Sequence, residues 1–420
     1  MGGLRLHPHA ETEKKPINFT SSGAYREALE NLWGNAGCVA LEHVMEGAMT
    51  RNLRRRDFLS GSAALAGGAA AGGFSCVEFA SAAPIEVPTV DKLSVRVLVD
   101  STHNLFLRPA TVNGVSVQPT PVSAGFPNVI HTQWGLSLWL ESLRRDELRT
   151  LLLDFGYTPD VLINNLGIMG VDVKKIDALI VSHGHFDHYG GLMGFLDKYR
   201  SALPADVKLY AGGEDNFCHR LIGPPGQLTD FGTLDRRALA ANKVATVLCE
   251  HPTVIGGHAF TTGQIKRSGI ERVLPNTMVE YGIKDGLGCD ATQYTHFTAA
   301  ELQGKVVPDE HTHEHATCFN VKDRGLVVIT SCGHVGILNT IRQAQEVSGI
   351  KRLHALIGGF HLGPATPDYT DQVVTELKTF APDAIVPMHC SGQTFVDSVQ
   401  KIMPDKLLMA SAAARLNFGA

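Results

Sequence analysis

Residues 181–192 read VSHGHFDHYGGL and set three histidines and an aspartate within the six positions from His183 to His188. Imidazole and carboxylate are the ligand types that hold Zn2+ at about 2.0–2.2 Å, and they do not exclude iron or manganese. In extended chain, residues i and i+2 share a face, so His183 and His185 can aim their rings the same way. Gly184 between them permits a tight backbone and the close approach of an ion. Asp187 and His188 follow at once and can address an adjacent position. The density of ligand types reads as a metal centre rather than as isolated, hydrogen-bonded core histidines.

The surrounding elements must deliver these side chains to one place. LSVRVLVDS and GLSLWLES read as strands, and TLLLDFG as a third that ends at a Gly turn. An amphipathic stretch, TPDVLINNLGIMG, precedes the apolar strand IDALIVS, which runs straight into His183. GGLMGFLDKYR then reads as helix and VKLYAGG as strand. The C-terminal third repeats the alternation. Strand GLVVITS ends at Cys332 and His334, strand HALIGGF at His361 and strand AIVPM at His389, each followed by a helical pattern. Polar residues where several strands stop suit an α/β layered fold whose site gathers at one edge of its sheets. Residues 211–310 are Gly/Pro-rich and less regular, and are read as insertions and loops around that site.

SHGHFDHYGG resembles the H-x-H-x-D-H motif of the metallo-β-lactamase superfamily. The resemblance implies an α/β fold, a four-layer αβ/βα metallo-β-lactamase sandwich with a mono- or dinuclear centre at one edge. GLSLWLES, LLLDFG, TTGQI, GLVVITSCGHVGILNTIRQAQ, IGGFHLG and VPMHCSG extend it over roughly residues 93–410. In that order they are similar to the branch of dihydropteroate-synthase-like and dihydropterin–ribofuranosylaminobenzene-phosphate synthase-like proteins. By position, the resemblance makes His183 and His185 ligands of a first ion, and Asp187 and His188 ligands of a second. His334 would complete the first site and His389 the second. The superfamily's bridging aspartate has no obvious counterpart; Cys332 stands near its place, His361 is the other candidate, and neither is the third possibility. Asp187 and His361 are the candidate catalytic residues, His361 for substrate contact or proton transfer. Two departures stand out: Trp134 replaces a histidine usual before GLS, and DEHTHEHATCFNV sets His311, His313 and His315 among acids. Alternation places these three on one side of an extended segment, read as a solvated polar loop or, failing that, as a lid-borne metal contact.

Two zinc ions held this way would share a water, lower its pKa toward roughly 7 and polarise a carbonyl or phosphoryl oxygen. Arg267 and Arg220 are surface charges that could bind an anionic group of the substrate. The expected activity is hydrolysis of a small phosphoester or other ester-like molecule. The branch's transferase-type reaction is the runner-up, and β-lactamase or lactonase chemistry stays open. A di-iron redox site is disfavoured, because flavodiiron proteins replace the second histidine of the motif by glutamate and His185 is retained.

Composition bounds the rest. With 420 residues, 44% hydrophobic and 19% charged, the chain can bury a sizeable core. A formal charge of −5 leaves no basic footprint for nucleic acid, and no apolar run suits a transmembrane helix. RNLRRRDFLSGSAALAGGAAAGGF runs from an arginine cluster into a mildly apolar stretch, and Ala80-Ser81-Ala82 offers a cleavage site. Arg55-Arg56-Asp57-Phe58-Leu59 resembles a twin-arginine export signal, which implies the twin-arginine export machinery as a partner and a periplasmic mature protein. The expected organisation is a leading segment 1–48, a signal peptide 49–82 with translation starting at Met45 or Met49, and the metal-binding domain 83–420. After residue 82 six cysteines remain without a CxxC pair, which excludes a zinc ribbon and leaves disulfides permitted but unassigned.

Overall fold

The computed structural model describes residues 84–120, 128–224, 226–293 and 306–419; the export-like segment and everything before it lie outside the described residues. Two sheets carry the fold. The first has nine strands in the order Ala245–Leu248, Lys208–Ala211, Ile176–Val181, Glu147–Leu153, Ser137–Arg144, Lys92–Val99, Ala414–Phe418, Val115–Pro119, Ala110–Val112. The second runs Val254–Ile255, Ala259–Thr261, Thr317–Val321, Gly325–Thr330, Leu353–Gly359, Ala384–Met388, with Thr89–Val90 paired to Thr317–Val321.

Period-two alternation decides which side chains face which layer. In Glu147–Leu153, Leu151 and Leu153 enter the core between the sheets, while Leu152 enters the core beneath the helices. Ile176–Val181 splits the same way, Ala178 and Ile180 against Leu179 and Val181. In Gly325–Thr330, Val327 and Ile329 meet the opposite sheet, and Leu326 and Val328 turn to the helices behind. Helices Pro159–Ile168 and Leu192–Tyr199 cover the first sheet through Leu162, Leu166 and Phe195. Helices Ile337–Ser348, Pro367–Leu377 and Gln393–Ile402 cover the second through Ile341, Val374 and Phe395. Helix, sheet, sheet, helix is the expected four-layer order.

Two regions differ from the sequence reading. Residues 211–310 do not consist of loops alone: Thr229–Gly232, His219–Ile222, Met278–Glu280 and Val306–Pro308 form an antiparallel sheet in that order. Strands of three or four residues are too short to show alternation. Ala414–Phe418 adds a strand inside the first sheet, between Lys92–Val99 and Val115–Pro119. Cys218 and Cys289 form a disulfide across a separation of 71 residues, tying the small sheet to the segment beyond it, while Cys249, Cys318, Cys332 and Cys390 are buried free thiols.

The polar strand ends collect as expected. Asp100, Asp154 and the His183 loop follow strands of the first sheet; Cys332 with His334, His361 and His389 follow three neighbouring parallel strands of the second. Replacing Cys218 and Cys289 by serine should lower unfolding stability by about 2–4 kcal/mol, because the closed loop restricts the unfolded chain; urea denaturation of the non-reduced protein and the double variant measures it, and equal midpoints would show that the disulfide contributes nothing.

Candidate metal centre

His183 lies in the loop after Ile176–Val181 and is fully buried. Its Nδ1 stands 2.9 Å from the Ser182 hydroxyl, and that hydroxyl donates to Asp154 Oδ2 at 2.8 Å. Ser182 Oγ therefore accepts from His183, which puts the ring proton on Nδ1 and leaves Nε2 with a free lone pair. Nε2 is buried and has no protein partner. His185 is arranged the other way round: Nε2 lies 2.9 Å from Thr277 Oγ1, whose hydroxyl donates to Asp309 Oδ2 at 3.2 Å. This leaves Nδ1 of His185 as the available lone pair. His334 comes from the loop after Gly325–Thr330, and both its ring nitrogens are buried without partners. Ligand atoms of His183, His185 and His334 all lie within 4.8 Å of one another.

A second triad adjoins the first. His188 Nδ1 is 2.7 Å from Asp154 Oδ2, and a carboxylate can only accept, so His188 also presents an unprotonated Nε2. Asp187 Oδ2 lies 3.6 Å from His188 Nε2 and 3.3 Å from His389 Nε2. Asp187, His188 and His389 form the second group within 4.8 Å. The backbone of His389, at φ +49°, donates to Asp100 Oδ1 at 2.8 Å. Trp134, 56% exposed, sets its ring 4.8 Å from that of His389.

Electrostatics suit neutral ligands. Burial, then the neighbouring imidazoles, holds His183 and His334 well below the ordinary histidine pKa. Burial and His311 do the same to His185. At Asp187 burial opposes ionisation, but His188 and His389 outweigh it and hold the carboxyl well below its usual range. At His389 burial is outweighed by Cys390 and Asp187, which push it up to about 10, so a proton there occupies the lone pair that a cation would take. Converging imidazoles with orphaned nitrogens beside an ionised aspartate fit divalent cations with nitrogen and oxygen preferences.

Cys332 and His361 reach the same place. Cys332 forms a group with ring nitrogens of His183 and His188, and His361 sets its ring, tilted by 47°, 4.0 Å from that of His334. His361 is half-buried at φ +45°, with Nε2 unpartnered.

The histidine-rich segment is not a solvated loop: His311, His313 and His315 are all buried. Each imidazole is placed individually. His311, at φ +51°, stacks parallel on His334 with centroids 4.0 Å apart. His313 Nε2 accepts from Gly184 N at 2.9 Å, and its Nδ1 donates to Asp215 at 3.0 Å. His315 Nε2 donates to the Val181 carbonyl at 3.0 Å. Glu314 accepts from the backbone amides of Gly333, His334 and Val335 at 2.8, 3.1 and 2.8 Å, and so clamps the loop that carries His334.

The arginines are placed differently from expectation. Arg220 is fully buried, donates to Asp309 Oδ2 at 2.7 Å and packs over Gly184, where a Cβ would meet Arg220 Nη1 at 2.3 Å. Gly184 thus makes room for Arg220, and Arg220 has its own internal carboxylate rather than a free face for substrate. Arg267 pairs with Glu310 beside a separate cavity of about 720 Å3 and is not brought to the triads.

Asp154, Asp100, Thr277 and Glu314 were not singled out from sequence as holding the ligands. Asp100 and Asp154 had a readable signal, an acid directly after an apolar strand, in the same position as the ligand residues. Asp154→Asn should weaken the second ion about 10–100-fold by loosening His188; chelator competition on the purified protein measures it, and unchanged affinity would remove Asp154 from this role.

Residues 142–216 match the family profile of the metallo-beta-lactamase superfamily. Among curated proteins the chain is 26% identical over 270 residues to the 7,8-dihydropterin-6-methyl-4-(beta-D-ribofuranosyl)-aminobenzene-5'-phosphate synthase of Methanocaldococcus jannaschii, covering 64% of this chain and 84% of that one. An uncharacterized protein of the same organism is 25% identical over 250 residues, 58% of this chain and 80% of its own. A solved metal-dependent hydrolase of the beta-lactamase superfamily superposes with TM-score 0.55 at 21% identity, covering 77% of this chain and 98% of that chain. The match to the metallo-beta-lactamase superfamily thus falls on the stretch that carries the His183–His188 cluster, and the fold is the one shared with that solved structure.

Proposed function

We propose that this protein is a metal-dependent hydrolase, with two zinc ions as its resident cofactor and a small phosphoester or other ester-like molecule as substrate. The observation that supports it is the pair of adjoining buried triads, His183–His185–His334 and Asp187–His188–His389, in each of which the potential ligand atoms lie within 4.8 Å of one another. Bound divalent ions supply Lewis acidity and a nucleophilic water near neutral pH. The chain's own residues do the rest. Asp187, ionised and flanked by His188 and His389, accepts a hydrogen bond from the attacking water and orients it. His361 carries an unpartnered Nε2 on a half-buried ring and is suited to pass a proton to the leaving group. Trp134 gives the mouth an aromatic wall against which a ring of the substrate can lie.

A second reading has its own support. The Methanocaldococcus relative is named a synthase, and a transferase joining a dihydropterin to a ribofuranosylaminobenzene phosphate would use the same cations to hold the phosphate. Export weighs against it, since pterin intermediates are expected in the cytoplasm. The Cys218–Cys289 disulfide supports a periplasmic site reached through the twin-arginine machinery, because such bonds persist in oxidising compartments. Fractionation of cells and N-terminal sequencing tests this: a chain beginning near Ala83 in the periplasm is expected, and an uncleaved cytoplasmic chain refutes it.

Metal analysis of the native protein should find two ions per chain. Asp187→Ala and His188→Ala should lose the second, and His183→Ala should lose both ions and all turnover. Bis-p-nitrophenyl phosphate, phosphomonoesters, lactones and β-lactams form the substrate panel. Trp134→Ala should raise KM for the nitrophenyl esters several-fold with little change in kcat. Silence on every ester with both ions loaded would overturn the hydrolase reading in favour of the transferase.

A further inference from the structure

Beside the two triads, three neighbouring parallel strands each deliver one further ligand-type residue from their ends. Gly325–Thr330 leads to Cys332, Leu353–Gly359 to His361 and Ala384–Met388 to Cys390. The Cys332 and Cys390 sulfurs stand 3.0 Å apart without a covalent bond. His361 Nδ1 lies 3.7 Å from Cys332 Sγ, and the His361 backbone amide donates to Cys390 Sγ at 3.2 Å. All three ligand atoms lie within 4.8 Å of one another. Gly359 makes room for the arrangement, since a Cβ there would sit 2.9 Å from Cys390 Sγ. Cys390 Sγ also reaches the Cys332 carbonyl, at 3.6 Å. Two buried thiols at this separation are poorly served as thiols, because S–H is a weak donor and sulfur a weak acceptor.

We propose that Cys332, His361 and Cys390 form a third cation position, selective for a thiophilic divalent ion such as zinc or cadmium. Two thiolates and one neutral imidazole balance the charge of a divalent ion, and soft sulfur ligands favour zinc and its heavier congener over magnesium or calcium. Both sulfurs bind as thiolates, so uptake of the ion sends to solvent whatever proton the Cys332–Cys390 pair holds, and no electron changes hands. His361 is the half-buried member of the group, and Cys332 and Cys390 are buried. Cys332 also lies among ring nitrogens of His183 and His188, so this position is continuous with the two imidazole–carboxylate positions. Spacing could not reveal it: the ligands come from three strands and contain no CxxC pair. The proposal stands whichever ester is turned over.

The full-length protein with the Cys218–Cys289 disulfide intact, stripped of metal and titrated with Cd2+, tests it. A thiolate-to-cadmium charge-transfer band in the ultraviolet is expected in the wild type and in Cys318→Ser, and its loss in Cys390→Ser, with cadmium content falling by one ion per chain. The cadmium-113 spectrum of the wild type gives a readout that needs no variant: one resonance shifted strongly downfield by sulfur, apart from those of nitrogen- and oxygen-bound ions. A band that survives in Cys390→Ser, or cadmium filling only nitrogen and oxygen sites, overturns the proposal. So does a wild-type mass lower by two hydrogens than the Cys218–Cys289 bond alone accounts for, with Cys332 and Cys390 resistant to alkylation, which would mean that the pair is oxidised to a second disulfide. Absence of hydrolysis with the band present would instead count against the hydrolase reading alone.

Discussion

The centre depends on one buried carboxylate. Asp154 is fully buried and accepts from the Ser182 amide at 2.8 Å, the Ser182 hydroxyl at 2.8 Å and the His188 ring at 2.7 Å. A buried carboxylate without such partners costs several kcal/mol, and here the donors that relieve it belong to the ligand loop. The same contacts fix the tautomers of two ligands: His188 directly, His183 through the Ser182 hydroxyl. Asp154 sits at φ +58°, a conformation that costs a non-glycine residue about 1–3 kcal/mol and persists only where the surroundings over-determine it. Asp100 repeats the device across the sheets, leaving a strand of the first sheet and holding the His389 backbone at the end of a strand of the second. The two sheets are thereby held in the alignment that brings the ligands of each together.

Much of this was legible in the sequence because it is local. Strands such as IDALIVS and GLVVITS declare themselves by apolar runs, and polar residues at their ends point to one edge of a layered fold. His183, His185, Asp187 and His188 are adjacent in sequence, so their density is visible. What was not legible is set by tertiary context. The small sheet of residues 219–308 is built from strands of three or four residues, which carry no periodicity of their own. The Cys218–Cys289 pairing has no local signature at all. A segment as polar as DEHTHEH reads as solvated, because nothing in its composition shows that Asp215, Gly184, Val181 and the His334 loop supply a partner for its side chains.

Gly184 illustrates how a correct residue can carry the wrong reason. The need for a glycine between two ligands was attributed to an approaching ion. The space a Cβ would need is taken by the Arg220 guanidinium and the Asn216 carbonyl. Arg220 in turn neutralises Asp309, which orients Thr277 and, through it, His185. A residue that looked like a surface cation is thus part of the chain of contacts that selects which nitrogen of His185 is free.

The energetics of the empty lone pairs complete the picture. His183, His188, His311, His334, His361 and His389 each bury at least one ring nitrogen that meets no protein hydrogen-bond partner. Each such orphan costs about 1–3 kcal/mol, against a total stability of about 5–15 kcal/mol for a typical domain. Cations seated among these nitrogens would relieve that cost. Ions that bind only this folded arrangement stabilise it by mass action as they fill it. Under the proposed function, folding and metal uptake would then be coupled, because the imidazoles of His183, His185 and His334 are already desolvated and held neutral by their burial.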